Sequence, residues 1–236
     1  MLPEMIIMNK ALKRICVDIS ELEKDNIENV YYRPDEDDIY KGYALIFGCE
    51  DTPYAHGAYM FQFQFTDKYP FVPPKVKFIT YDGYTRFNPN LYRDGKVCLS
   101  ILNTWTGEKW SSCQSIRTVL LNLQMVLNEK PILNEPGISS DNIDFIQAYN
   151  DVVKYKNIET AILKYLDIAE LPPYFQQFHP IITSHFLEHY DSIFDTCLKE
   201  KSKRTSTIGI YSMHPFFMNY TKLCESLQNQ RSLISE

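Results

Sequence analysis

No apolar run in this sequence approaches the ~18 residues that crossing a bilayer requires. Its start, MLPEMIIMNKALKRICVD, mixes charges into its apolar positions and lacks the long apolar stretch of a secretory signal. The six cysteines, at positions 16, 49, 98, 113, 197 and 224, include no CxxC pair. These absences predict a reduced, intracellular chain, cytoplasmic or nuclear, that carries thiols rather than bridges and has no membrane partner. Basic residues are in deficit: 24 Lys and Arg stand against 30 Asp and Glu, a formal charge of −6, which argues against nucleic acid as the main partner. There is no internal repeat, and 44% hydrophobic with 23% charged residues excludes a disordered chain.

What is present is length and aromatic mass. The 236 residues suffice for one large domain or a domain with an extension, and 17 Tyr with 14 Phe supply a sizeable core. Met5, Met8, Leu12, Ile15, Ile19 and Leu22 recur at steps of three and four, which predicts a first amphipathic helix with Pro3 and Glu4 in its first turn. Lys10, Lys13 and Arg14 form a basic stripe on another sector of it, either a solvated face or a docking surface.

From Asp38 to Tyr81 the period changes to two. Tyr59, Phe61, Phe63 and Phe65 fall on one side of a strand, with Met60, Gln62 and Gln64 on the other. KGYALIFG and PKVKFITY are its strand-like neighbours, and the short links between them favour an antiparallel meander. The prolines of YPFVPP (69–74) force a rigid extended corner. Residues 82–109 have no sustained period, as expected of a functional loop.

A second helix follows, with Ile116, Val119, Leu120, Leu123, Val126 and Leu127 as its buried face and Ser112 or Ser115 as N-cap. Stretches 142–168 and 182–201 read as helical. A basic polar linker, KEKSKRTSTIG, leads to an apolar patch, IYSMHPFFMNY, and a short last helix. Helix, sheet, irregular loop and helices in that order imply an α+β architecture. His185 and His189 stand four apart near His179 and Cys197, a set that zinc accepts. HFLEH is not the H-E-x-x-H pattern, however, so half-buried histidines and no metal are expected.

Cys98 raises the functional question. Taken alone, a free cysteine is ordinarily a small core residue. Its setting changes that reading. With the amphipathic first helix, DTPY (51–54), YPFVPPKVKF (69–78), NPNLYRDGKVCLSIL (88–102), Trp110 and NEPG (134–137) in this order, the chain resembles the ubiquitin-conjugating enzymes over about residues 4–165. Asn88 stands where most members have His, and NTWTGEKW is longer than in small members. Both features resemble the large-chain branch, and most of all its Z-type members, which a second, non-standard activating enzyme charges.

The resemblance implies a ubiquitin-conjugating fold: an N-terminal helix, a four-stranded antiparallel meander, an irregular active-site loop and C-terminal helices. It implies a catalytic core over 1–165 and a helical extension over 166–236. Cys98 becomes the nucleophile that carries ubiquitin, or a ubiquitin-like modifier, as a thioester for transfer to a lysine. Asn90 becomes the amide that donates to the oxyanion or orders the loop beside it, and Asn88 a supporting residue without proton transfer. Near the thioester Asn134 and Glu135 are candidates to assist the lysine, Glu135 being the only acid of the two. Expected partners are the modifier, an activating enzyme docking on Lys10, Lys13 and Arg14, protein substrates and a ligase. Recognition by ordinary RING-type ligases is in question, because Trp110-Ser111-Ser112-Cys113 lacks the proline that many members have, although Phe71 is kept. No metal or organic cofactor is implied, since ATP is used upstream by the activating enzyme.

Overall fold

A computed structural model describes residues 10–201, 211 and 216–235. Helix α1 (Lys10–Lys24) buries Ala11, Ile15 and Asp18, with Ile19 and Leu22 packed against the core's edge. The apolar face expected from periodicity is therefore present, with one carboxylate set into it. Met5, Met8, Pro3 and Glu4 lie outside the described residues. Asp18 is held by Arg14 Nε at 2.6 Å, by the Ile116 N–H at 3.1 Å and by the Tyr69 hydroxyl. A buried carboxylate needs that many donors to offset its desolvation.

Strands β1 (Val30–Pro34), β2 (Lys41–Phe47), β3 (Ala58–Gln64) and β4 (Lys75–Phe78) form the expected antiparallel meander, in sequence order. β1 starts ahead of the stretch whose period marks strands. It is an edge strand containing Arg33 and Pro34, composition that suits an edge and hides the pattern. β2 is buried almost throughout because the sheet is covered on both faces. Ala44 and Ile46 pair with Phe61 and Tyr59 and face a first core built with α1 and the irregular loop. Tyr43, Leu45, Phe47 and Met60 point the other way, into a second core.

Helix α2 (Ile116–Val126) completes the first core with Ile116, Val119, Leu120 and Leu123. Of the two candidate caps, Ser115 is the one used: its hydroxyl accepts from the Thr118 N–H, and Thr118 returns the bond. Helix α3 (Ile143–Lys156) runs on through a π-helical stretch, Asn157–Leu163, and a 3-10 turn, Lys164–Leu166. Tyr155, Ile158 and Ile162 along this run already belong to the second core. Asn157 accepts from the Tyr59 hydroxyl at 2.7 Å and donates to Ala55 O at 2.8 Å. A side chain at Gly57 would collide with its amide, so the β2–β3 turn and the π stretch touch backbone to side chain.

The second core is closed by a 3-10 stretch, Pro173–Phe178, which brings Phe175 and Phe178 into it, and by α4 (His179–Glu188), α5 (Tyr190–Glu200) and α6 (Tyr220–Ser235), which add Ile182, Phe186, Ile193 and Leu227. The single helical run expected over 182–201 is broken at His189, whose φ of −105° and ψ of 11° end α4 and start α5. Residues 202–210 and 212–215, most of the basic linker and part of the apolar patch, lie outside the described residues. Among those described, no helix is long and apolar enough to cross a membrane.

Candidate active site around Cys98

The irregular loop is anchored to the sheet. Lys96 bridges to Lys77, and Phe78 N–H donates to Gly95 O at 2.8 Å. A tight turn, closed by Tyr92 N–H to Lys96 O at 2.9 Å and Gly95 N–H to Tyr92 O at 3.0 Å, folds the chain back on itself. Gly95 has a φ of +88° and lies so close to β4 that an added Cβ would meet Phe78 O at 2.9 Å. Because of this turn, residues eight apart in sequence face each other. Cys98 N–H donates to Asn90 O at 2.8 Å, and Asn90 Nδ2 donates to Cys98 O at 2.7 Å. Both backbone polar groups of Cys98 are thus held by one residue. The cysteine itself is only 2% exposed, and Asn90 Oδ1 is buried without a partner.

Asn88 is fully buried. Its Oδ1 accepts the Asn90 N–H at 2.9 Å, while its Nδ2 donates to Tyr54 Oη at 2.9 Å and to Val126 O at 2.7 Å. The Tyr54 hydroxyl donates in turn to Phe87 O at 2.6 Å. Here the amide does three jobs at once, which a neutral imidazole with one donor and one acceptor does not. Asn134 Nδ2 reaches the same Val126 carbonyl at 3.3 Å, and Asn128 Nδ2 lies 3.3 Å from Asn134 Oδ1. Asn134 therefore belongs to the framework beneath the loop.

Glu135 accepts a hydrogen bond from the Tyr211 hydroxyl. Tyr211 also meets the Tyr149 ring edge-on at 5.9 Å and lies 5.5 Å from the Arg86 guanidinium. Arg86 stacks on Tyr92 at 3.5 Å and donates to Asn88 O at 3.1 Å and Pro89 O at 2.7 Å. Burial, then the Glu135 contact, pushes the Tyr211 phenol up, so it stays a donor. A residue of the extension thereby ties Glu135 to the segment carrying Asn90. Tyr211 is not legible from the motif, because it acts through contacts far apart in sequence, and Arg86, though near the motif, carries no local signal of its backbone contacts.

Residues 14–157 match the family model described as ubiquitin-conjugating enzyme. The chain belongs to the ubiquitin-conjugating enzyme family. It is similar to Ubiquitin-conjugating enzyme E2 Z of Xenopus tropicalis, with 38% identity over 78% of this chain and 58% of that protein. Against the human E2 Z protein the identity is 39% over 77% of this chain and 51% of that one. A putative ubiquitin-conjugating enzyme E2 39 of Arabidopsis thaliana is 47% identical over 49% of this chain and 38% of its own length. The expected likeness to Z-type members is thus found. The chain spans little more than half the length of the E2 Z proteins it matches.

In this conjugating-enzyme chain the loop after Cys98 is clipped by Thr104, whose hydroxyl donates to Val97 O at 2.8 Å and accepts the Leu99 N–H at 3.0 Å. Trp110 Nε1 donates to Pro70 O at 2.6 Å, joining the loop to the proline corner, where Phe71 is 71% exposed. Arg14 departs from the expectation of a free basic stripe. Besides Asp18, it donates to Ser112 O at 2.9 Å and Gln114 O at 2.5 Å. It holds the proline-free turn after Trp110 in place, leaving Lys10 and Lys13 as the exposed cations of the stripe.

The histidines are arranged differently from the set that the sequence suggested. His179 Nε2 lies 2.9 Å from Leu166 O. Cys197 is buried beside Cys224, with sulfurs 3.1 Å apart, and burial and that neighbour push its thiol up. His185 and His189 instead meet His56 of the β2–β3 turn. Burial and the neighbouring imidazoles lower the His185 pKa to about 3 and also lower that of His56, so both rings are neutral near pH 7.

Proposed function

We propose that this chain accepts ubiquitin, or a ubiquitin-like modifier, from an activating enzyme as a thioester on Cys98 and passes it to a lysine amine, directly or with a ligase. The observation that carries this reading is the pairing of Cys98 with Asn90 through both backbone groups. The Cys98 thiolate attacks the carbonyl carbon of the incoming thioester, and the activating enzyme's thiolate leaves. Exchange between two thioesters is nearly isoenergetic, so the thiolate needs little further activation. In the second step the lysine nitrogen attacks the same carbon and loses its proton. The tetrahedral oxyanion collapses, and the Cys98 thiolate leaves.

Asn90 serves both steps unequally. One N–H of its amide holds Cys98 O; the second, on the same nitrogen, is the donor offered to the oxyanion. Asn88 positions Asn90, and the Glu135 carboxylate, once released from Tyr211, is the base that takes the lysine's proton. Lys10 and Lys13 are the cations offered to the activating enzyme, and exposed Phe71 is the apolar contact for a ligase. Residues 1–165 form the catalytic core and 166–236 its helical extension, in a cytoplasmic or nuclear enzyme. No metal or organic cofactor enters this chemistry.

The test separates charging from discharge. Asn90→Ala is expected to load modifier at near wild-type rate, yet to discharge to free lysine roughly 10²–10³-fold more slowly in single-turnover assays. Equal loss in both steps would reduce Asn90 to a loop residue.

A further inference from the structure

We propose that His56, His185 and His189 form a three-histidine site for a divalent transition cation, zinc by its ligand chemistry, which fastens the helical extension to the sheet. One potential ligand atom from each of these residues lies within 4.8 Å of the other two. Tetrahedral Zn–N bonds of 2.0–2.1 Å set neighbouring nitrogens about 3.4 Å apart. Closing the remaining gap takes about 1.4 Å at most, within reach of small ring rotations about χ1 and χ2.

The backbone presents the three rings from two independent elements. His185 and His189 are one helical turn apart, joined by the His189 N–H to His185 O bond at 3.1 Å, so both project on one side of the end of α4. His56 comes from the β2–β3 turn with a φ of +59° and is 8% exposed. Such a conformation is uncommon for a non-glycine residue and aims the ring at α4. His185 Nε2 is buried and has no hydrogen-bond partner, the condition a metal would relieve. Ser192 Oγ lies 3.3 Å from His56 Nε2, a polar neighbour of the kind that orients ligating imidazoles.

The surroundings favour the same reading. Phe47 stacks on His185 with centroids 3.7 Å apart and walls one side. The other side opens into a cavity of about 440 Å³ whose lining includes Cys49, Glu50 and Glu188, side chains able to supply a fourth ligand or to hold a bound water. Imidazole ligands suit zinc, and a redox-inert ion fits a site that joins two parts of a fold. The sequence conceals this site because its third member belongs to the core and its other two to the extension.

The test uses the full chain, purified without a histidine tag, stripped by chelator and titrated with zinc. One equivalent should bind and raise the melting temperature of the wild type. His189→Gln, at the half-buried member, and His185→Gln should each weaken binding roughly a hundredfold or more and abolish the shift. His189→Gln guards against His185→Gln failing to fold, since its own metal-free melting point can be compared with wild type. Both variants should still load modifier on Cys98. No zinc-dependent shift in the wild type, or an equal shift in a folded His189→Gln protein through the exposed thiols of Cys16, Cys49 or Cys113, would overturn the proposal and leave a stack of neutral rings.

Discussion

Asn88 and Asn90 occupy one motif but have separable consequences. Replacing Asn88 with Ala leaves the Asn90 N–H unpaired and takes one donor each from Tyr54 Oη and Val126 O, which keep Phe87 O and Asn134 Nδ2 as partners. An unpaired buried group costs about 1–3 kcal/mol, so Asn88→Ala should lower unfolding stability by about that much in a urea titration. Its discharge defect should then follow from misplacement of Asn90. Asn88→His, which keeps one donor and one acceptor, should recover part of both losses. The juxtaposition of Cys98 and Asn90 was legible in the sequence because both lie in one contiguous motif. Tyr54 and Tyr211 were not, since each reaches the loop across a long stretch of chain and no local pattern marks an aromatic hydroxyl as a loop support; Arg86 is close in sequence to the carbonyls it holds, but nothing local marks that arginine as a loop support. Glu135 was found by position, yet its bond to Tyr211 could not be, because Tyr211 lies in a segment with no periodicity to place it.

Among the elements, α1 combines two roles that its composition merged into one stripe. Asp18, with a side chain only 1% exposed, collects Arg14, Tyr69 and the first N–H of α2. Asp18→Ala should destabilise the chain by roughly 3 kcal/mol, the usual scale for breaking a buried ionic cluster, seen as a lower urea midpoint with an unchanged slope. Lys10 and Lys13 carry no such burden. Reversing both to Glu should leave thermal unfolding unchanged and slow charging roughly tenfold at low salt, converging with wild type as salt rises. The amphipathic period gave α1 correctly but could not reveal Asp18 inside its buried face. The meander was readable where two-residue alternation is strong, in β3. It failed at β1, where burial alternates but adjacent Tyr31 and Tyr32 on opposite faces give the sequence no alternation to show. The break at His189 was unreadable for another reason: no proline or glycine marks it, and it coincides with the contact to His56.

For the whole molecule, the extension is part of the sheet's packing. Leu45, Phe47 and Met60 of the sheet are no more than 1% exposed, in a core shared with residues from 155–197 and 218–227. Exposing side chains of this kind costs about 1.5–3 kcal/mol each, so three alone approach the 5–15 kcal/mol that holds a typical domain together. A chain cut after Leu166 should therefore unfold or aggregate rather than persist as a free conjugating core, as size-exclusion chromatography would show. The second core was not legible beforehand because helical periodicity names a buried face without naming what it packs on. The central claim concerns Cys98, and intact-mass analysis tests it most directly. The full chain is incubated with ATP, modifier and each type of ubiquitin-activating enzyme in turn. A single modifier added to the wild type with loss of one water, released by thiol, absent in Cys98→Ala and thiol-resistant in Cys98→Ser, is the predicted result. An adduct that survives in Cys98→Ala, or none with any activating enzyme from folded protein, would contradict the account.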